Sequence, residues 1–289
     1  MIKKLKFKNP LNDFNSNYEV IQKKIKEKNL YSFSDYRKRT MNARNLYIPF
    51  ILSHYKKINN VLEIGAGYGS VTFSLSSHCK NIDIIEIDKK AKKFLEESRE
   101  YFPNISILDY DHASLKNLKK EYDAIIFSAS LEHMTLEERK EYLSISFKIL
   151  SKKGFLFILE CPNTYWYKDD HSTRLLFNNW LPYEIGFLKT KQTPRDSFKD
   201  LYFDYSNPTQ RNHWHRRGRP VSKDELEIFL NIDLMENDNL NSLNQFLGIR
   251  FYLRLLRYGS KYNLFRIFLK ILNVPEAFSN PFFTISIKK

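Results

Sequence analysis

Two cysteines in 289 residues, Cys79 and Cys161, are too few for a disulfide framework, and a reducing cytosol is the default setting for such a chain. No apolar run approaches the roughly 20 residues needed to span a bilayer. The opening MIKKLKFKNP has the charges that begin a secretory leader, but no apolar stretch follows them. Internal repeats and low-complexity segments are also missing. What remains is one large α/β domain with an elaboration, or two small domains.

Acid is scarce as well: 33 Asp and Glu against 47 Lys and Arg leave a net charge of +14. The imbalance is uneven. Residues 1–60 carry 14 basic against 4 acidic groups (+10), residues 61–160 carry 14 against 16 (−2), and residues 161–289 carry 19 against 13 (+6). Basic flanks around a nearly neutral centre fit attraction to RNA, a lipid headgroup or a phosphorylated substrate, or else simple compositional drift. No basic run is interleaved with an RNA-binding signature, so nucleic acid is not the expected partner.

From residue 60 a regular alternation begins. VLEI, IDIIEI, ISIL, DAIIFSAS and GFLFILEC read as strands, and the stretches GSVTFSLSSH, KKAKKFLEESREYF, SLKNLKKEY and LEERKEYLSISFKILS between them as helices. The strands are continuously apolar, as in a parallel sheet covered on both faces. Before them, NYEVIQKKIKEK reads as a helix. A second helix, capped by Thr40, runs through MNARNLYIPFILSHYKK and is interrupted at Pro49. After Cys161 the rhythm breaks into an aromatic, His- and Arg-rich stretch. Then come a helix capped by Ser222, a candidate strand at NIDLMEN, helical sequence over 245–272 and a closing strand at FFTISIKK. The expected fold is therefore α/β, a doubly wound, Rossmann-like, mostly parallel seven-stranded sheet with an inserted lid region after strand five. The expected divisions are an N-terminal helical segment (1–59), a core (60–162), a lid or substrate region (163–245) and C-terminal helices with the closing strand (246–289).

In such a sheet, ligands bind beyond the carboxyl ends of the strands. Gly65, Gly67 and Gly69 fall in the turn after the first strand, where glycine permits positive φ and close approach of backbone to ligand. A dinucleotide fingerprint would place its third glycine at position 70, which is Ser70. Glu63 stands two residues before the first glycine. Glu86 ends the second strand, where a carboxylate can accept both hydroxyls of a ribose; Asp88 nearby suits a solvated position.

LEIGAGYGS, IEID, ILDYDHASL and YDAIIFSASLEHM, in that order over residues 60–162, resemble the class I S-adenosylmethionine-dependent methyltransferases. The resemblance implies S-adenosylmethionine as cofactor, with the Gly65–Gly67–Gly69 loop and Glu63 at its methionine moiety and Glu86 at its ribose. It implies Asp111, or Asp109 if the strand ends earlier, at the adenine amino group, and Ser128 to Leu131 along the cofactor cleft. Asp111 also suits a helix N-cap. ECPNTYWYKDDHSTRLLFNNWLP, residues 160–182, more loosely resembles a subset that modifies bacterial sugars, glycans and secondary metabolites.

Methyl transfer needs alignment and, for a hydroxyl acceptor, a base. His133 and Glu160 stand at the carboxyl ends of strands four and five, and each also suits a structural hydrogen-bonding role. Asp170 and His171 are read as a carboxylate–imidazole base, with a metal-ligand pair and a structural tether as the other readings. No cysteine cluster or repeated histidine spacing favours a metal, so none is expected. RNHWHRRGRP (211–220) is either a grip for a phosphate or carboxylate or a solvated basic loop.

The expected acceptor is a small molecule or glycan precursor, methylated on a hydroxyl or amine. An RNA methyltransferase and a non-catalytic cofactor-binding protein are the alternatives. Apolar residues at helical spacing over 246–272, with basic residues between them, suit packing on the protein's own core or a second subunit, or else peripheral contact with the inner face of a membrane, in an otherwise cytoplasmic protein.

Overall fold

The computed structural model describes residues 16–109, 115, 118–199, 204–217, 219–236, 239–248 and 260–289. The chain divides into two compact units, residues 1–109 and 110–289.

The first unit opens with α1 (Ser16–Glu27), α2 (Phe33–Asn42), a wide π turn (Ala43–Tyr47) and α3 (Ile48–Leu52). Thr40 does not cap a helix here. Ser32 accepts from the Asp35 N–H and starts α2 eight residues earlier, while the Thr40 hydroxyl bonds back to the Tyr36 carbonyl inside it. Pro49 has no N–H to continue the α ladder, and the π turn directly before it is the interruption expected there.

Then follow β1 (Ile58–Ile64), α4 (Ser70–Leu75), β2 (Cys79–Ile85), α5 (Lys89–Ser98) and β3 (Ile105–Ile107). The strands lie in the order β3-β2-β1, all parallel, with Val61 opposite Ile82 and Ile84 opposite Ile107. Val61, Leu62, Ile64, Ile82, Ile84 and Ile85 are all buried, which explains why these strands read as unbroken apolar runs. Asp88, exposed as expected, also caps α5 by accepting from the Ala91 N–H at 2.8 Å.

In the second unit, β4 (Tyr122–Ser128) leads through α6 (Leu136–Ile149) into β5 (Leu150–Pro162), parallel to it. β7 (Phe282–Lys288) pairs antiparallel with β5, and β6 (Leu240–Ser242) antiparallel with β7. Between β5 and β6 lie α7 (Tyr183–Lys189), α8 (Asp196–Lys199), α9 (Pro208–His215) and α10 (Lys223–Leu230); α11 (Leu243–Leu247) and α12 (Ser260–Ile271) precede β7. Capping boxes start α6 (Thr135 with Glu138) and α10 (Ser222 with Glu225), the latter at the residue expected from sequence. The two units together hold the seven strands, mostly parallel, of the expected Rossmann-like α/β architecture.

Two expectations change, and a third is met where it is described. NIDLMEN is not a strand: residues 231–236 form turns in which Asn231 (φ 53°) ends α10 and Leu234 is buried, and the short strand comes at 240. The helical stretch 245–272 is α11 and α12 with undescribed residues between. The expected helix at SLKNLKKEY (114–122) does not form over its described C-terminal part: residues 118–121 are not helical and Tyr122 already begins β4, while residues 114, 116 and 117 lie outside the described residues. No helix among the described residues is long and apolar enough to cross a membrane. α12 nonetheless exposes Leu264, Ile267 and Ile271.

Gly69 is the tightest point of the glycine loop. Its φ is +75°, and a Cβ there would come 2.5 Å from Cε2 of Phe73, a buried ring stacked on Phe102 at 4.7 Å. Gly67 (φ +54°) has nothing within 4 Å of the same position. Both substitutions to alanine incur the left-handed backbone penalty of roughly 1–2 kcal/mol, and only Gly69→Ala adds a core clash of similar size. Thermal melts should therefore rank Gly69→Ala clearly below Gly67→Ala; equal melting temperatures would contradict the packing.

Candidate functional site

In the first unit the chain leaves β1 through Gly65 (φ 78°), Gly67 and Gly69, three left-handed residues in five. Such a path is open to glycine at little cost and keeps side chains off the loop. The Gly65 N–H bonds the Ile85 carbonyl at 2.8 Å, and the Gly69 N–H the Ala66 carbonyl at 3.0 Å. The Gly67 N–H donates to Glu86 Oε2 at 2.6 Å, and the Asp88 N–H donates to Oε1 at 2.8 Å. Glu86, just beyond β2, is thus oriented by two backbone amides and keeps acceptor capacity for a diol, since a carboxylate offers about four lone-pair sites.

Glu63 lies beneath the loop, 1% exposed, and accepts from the Thr72 hydroxyl. Burial pushes its carboxyl up to about 8; the Thr72 bond opposes this and the charge of Glu86 adds to it. Asp109 is exposed and pairs with Lys92. Asp111 lies outside the described residues.

The second unit contributes the ends of β4 and β5. Ser128 closes β4, half-buried, followed by Ala129 at φ 48°. Glu160 has φ 55° within an irregularity that shifts the β5–β7 register between Ile158 and Cys161, and its N–H donates to the Thr284 hydroxyl at 3.0 Å. Two non-glycine residues in the left-handed region at neighbouring strand ends store strain of a kind that clusters at functional sites. The Ala129 N–H bonds the Leu159 carbonyl at 2.9 Å, tying these ends together.

Next comes a short 3-10 turn, Leu131–His133. Its backbone is anchored by Arg139, 0% exposed, whose Nε donates to the Leu131 carbonyl at 2.8 Å. The same guanidinium reaches the carbonyls of Arg219 and Pro220 and the carboxylate of Glu225. The Arg219 N–H in turn donates to the Glu132 carbonyl at 3.0 Å.

Asp170 and His171 take separate partners. Asp170 Oδ1 receives Lys168 Nζ at 2.6 Å, while the carboxylate set against the His171 ring is Glu132, with Oε1 3.8 Å from Nε2. His133 stands beside it, the ring centroids 5.4 Å apart. So the fold gathers His133, His171 and Glu132, and Glu132 was missed in the sequence. Its signal was a carboxylate directly before His133 and after an apolar strand. Asp169, the neighbour passed over in favour of Asp170, is buried and accepts from both the N–H and hydroxyl of Ser172 and of Thr173, shaping the turn that presents His171.

A cavity of about 350 Å³ opens alongside, lined by Asp169, Asn178, Tyr183, Trp214, Arg217 and Arg219 among others. The stretch 211–220 divides its residues among several roles. Trp214 packs with Phe187 and Phe198 in a buried cluster, Arg216 forms a two-pronged pair with Glu138 (2.6 and 2.8 Å), and Arg217 and Arg219 border the cavity.

Residues 61–154 match the family model described as "Methyltransferase domain". The chain is 34% identical over 96 residues to a probable ribosomal RNA small subunit methyltransferase A of Methanococcus aeolicus, covering 33% of this chain and 30% of the relative. It is 32% identical over 132 residues to a ribosomal RNA small subunit methyltransferase A of Wigglesworthia glossinidia brevipalpis, covering 42% of this chain and 49% of the relative. The chain thus spans less than half the length of either. Among solved structures, the N-methyltransferase NodS of Bradyrhizobium japonicum in complex with S-adenosyl-L-homocysteine is 21% identical, with TM-score 0.38, over 44% of this chain and 62% of that one.

Proposed function

We infer that the protein is a methyltransferase that uses S-adenosylmethionine through residues 61–154, a domain of the class I type, to methylate a hydroxyl or amine of a small polar acceptor such as a sugar or glycan precursor. The carrying observation is the glycine loop with Glu86 at its side. Three left-handed glycines, open space above Gly67 and an amide-oriented carboxylate fit a ligand with a ribose diol and a cationic end. In this reading Glu86 holds the ribose and Glu63 with the glycine loop faces the methionine moiety. Asp111 is assigned to the adenine and Ser128 to the cofactor side of β4.

When bound, S-adenosylmethionine supplies an activated methyl group on a sulfonium. The protein's own task is to orient the acceptor and remove its proton. The cavity of the second unit suits a small acceptor: Asn178 and Tyr183 offer hydrogen bonds for hydroxyls, and Arg217 and Arg219 offer a charge for a phosphate or carboxylate on the same molecule. His133, His171 and Glu160 are the groups assigned to the proton; Asp170, held by Lys168, is assigned to the loop that carries His171. The exposed apolar side of α12, with Arg266 and Lys270 on the same helix, suits an acceptor presented at an anionic membrane.

Calorimetric titration with S-adenosylmethionine tests the cofactor. We expect saturable binding, weakened roughly 10- to 100-fold in Glu86→Ala, the loss of about two charged hydrogen bonds (each ~1.5–3 kcal/mol) partly replaced by water. Silence in the wild type, or equal affinity in the variant, would overturn the assignment. An RNA acceptor is the second reading, favoured by the +14 charge and by what the two curated relatives are named for. It requires RNA retention that falls steeply with salt in a gel shift.

A further inference from the structure

Glu132 and His133 are adjacent in the turn after β4, whereas His171 arrives from the segment after β5. The fold nevertheless places one ligand-capable atom of each within 4.8 Å of the other two. Glu132 is fully buried, His171 half-buried and His133 exposed, so the cluster has a closed floor and an open side.

The surroundings prepare the donors. His133 Nδ1 lies 3.0 Å from the Arg216 carbonyl oxygen, which can only accept. Nδ1 therefore carries the proton, and Nε2 keeps the lone pair that a ligand needs. His171 turns its Nε2 towards Glu132. Its backbone is fixed on both sides: the N–H donates to Asp169 Oδ1 at 3.2 Å, and the carbonyl accepts from Arg195 at 2.7 Å. Glu132 is fixed through Arg219 and its neighbour Leu131 through Arg139. Three donors from two separate segments, each on a braced backbone and one with its tautomer set by a carbonyl, is the arrangement of a ligand set with its supporting hydrogen bonds.

We propose that Glu132, His133 and His171 bind a divalent transition cation, zinc foremost. Two imidazoles and one carboxylate suit zinc, and after it manganese or iron; calcium and magnesium want an oxygen shell. Bonds of about 2.0–2.2 Å set neighbouring ligand atoms roughly 3–3.5 Å apart, so binding would draw the cluster together by up to about 1.5 Å. Three protein ligands leave a fourth position on the open side. Beside the cavity bordered by Asp169, Arg217 and Arg219, that position would lower the pKa of an acceptor hydroxyl, and with both imidazoles serving as ligands the proton would pass to Glu160 or to water. This last consequence rests on the methyltransferase reading; the binding itself does not.

The full-length chain, stripped with chelator and dialysed, is titrated with zinc chloride in a calorimeter. We expect one saturable site per chain, weakened roughly tenfold or more by His133→Ala and by His171→Ala, with Glu132→Gln also weaker. Magnesium chloride should give no comparable heat. His213→Ala controls for an imidazole outside the cluster, whose Nε2 already accepts from Arg217 at 2.9 Å, and should leave zinc affinity unchanged. His133 is exposed, so its replacement is expected to preserve the metal-free melting temperature. Absence of saturable zinc binding, or affinity unchanged in both histidine variants, overturns the proposal. Failure of the S-adenosylmethionine titration would sink the functional reading and leave this result standing.

Discussion

Replacing Arg139 with alanine is expected to destabilise the second unit by about 3–5 kcal/mol. The side chain is 0% exposed, and its five N–H groups serve three backbone carbonyls and the Glu225 carboxylate. Alanine would leave those acceptors buried without donors and open a cavity of guanidinium size. Burial lowers the pKa of Arg139, with the Glu225 charge acting against this, but an arginine remains charged throughout the accessible pH range. Arg139→Lys keeps the charge and loses the fork, so it should recover only part of the loss. All three tryptophans, Trp166, Trp180 and Trp214, belong to the second unit, and their fluorescence during urea unfolding reads the effect directly. A loss under about 1 kcal/mol would mean the bonds of Arg139 are replaceable by water.

The second large effect follows pH. Glu63 has a carboxyl raised from an ordinary 4.5 to about 8, chiefly by burial. A raised carboxyl pKa means that the fold favours the protonated form. Its contribution is therefore complete below about pH 4.5 and is lost progressively as pH climbs to about 8. At about 1.4 kcal/mol per unit, the whole window is worth several kcal/mol. Melting temperature of the wild type should fall between pH 5 and 8 more steeply than that of Glu63→Gln, which keeps a neutral partner for Thr72. Parallel curves would show that Glu63 does not titrate as its burial implies. If Glu63 faces the methionine moiety as proposed, the cationic end of the cofactor would favour the carboxylate. Binding should then release a proton, seen as a buffer-dependent heat.

What could be read from the sequence was local. The step from β1 into the glycine loop rests on adjacent residues, VLEI then three glycines, and each obeys a short-range rule: apolar residues for a doubly covered strand, no Cβ for a left-handed turn. Glu86 was legible for the same reason, as a charge placed where an apolar strand ends. Errors arose where the deciding partner is distant or where two neighbours compete. Thr40 and Ser32 both look like caps, and the one that works is settled by packing that buries Tyr36 and Thr40. Asp169 and Asp170 differ by one position; which turns inward depends on Ser172 and Thr173, and the outer one finds Lys168. Leu234 lends NIDLMEN the look of a strand although it merely plugs a turn after α10. No spacing rule could have joined Glu132 to His171, 39 residues apart in sequence and in contact through the turn that Arg139 holds.

The cavity beside that turn is lined wholly from residues 164–225, a continuous stretch of chain. The loop that grips Glu86, by contrast, is complete by residue 88. If that cavity takes the acceptor, as proposed, the residues that choose it are encoded in one uninterrupted piece of gene. A single recombination event could then exchange it while the glycine loop and Glu86 pass through unaltered, so close relatives of this chain should diverge in substrate by cassette rather than by scattered drift.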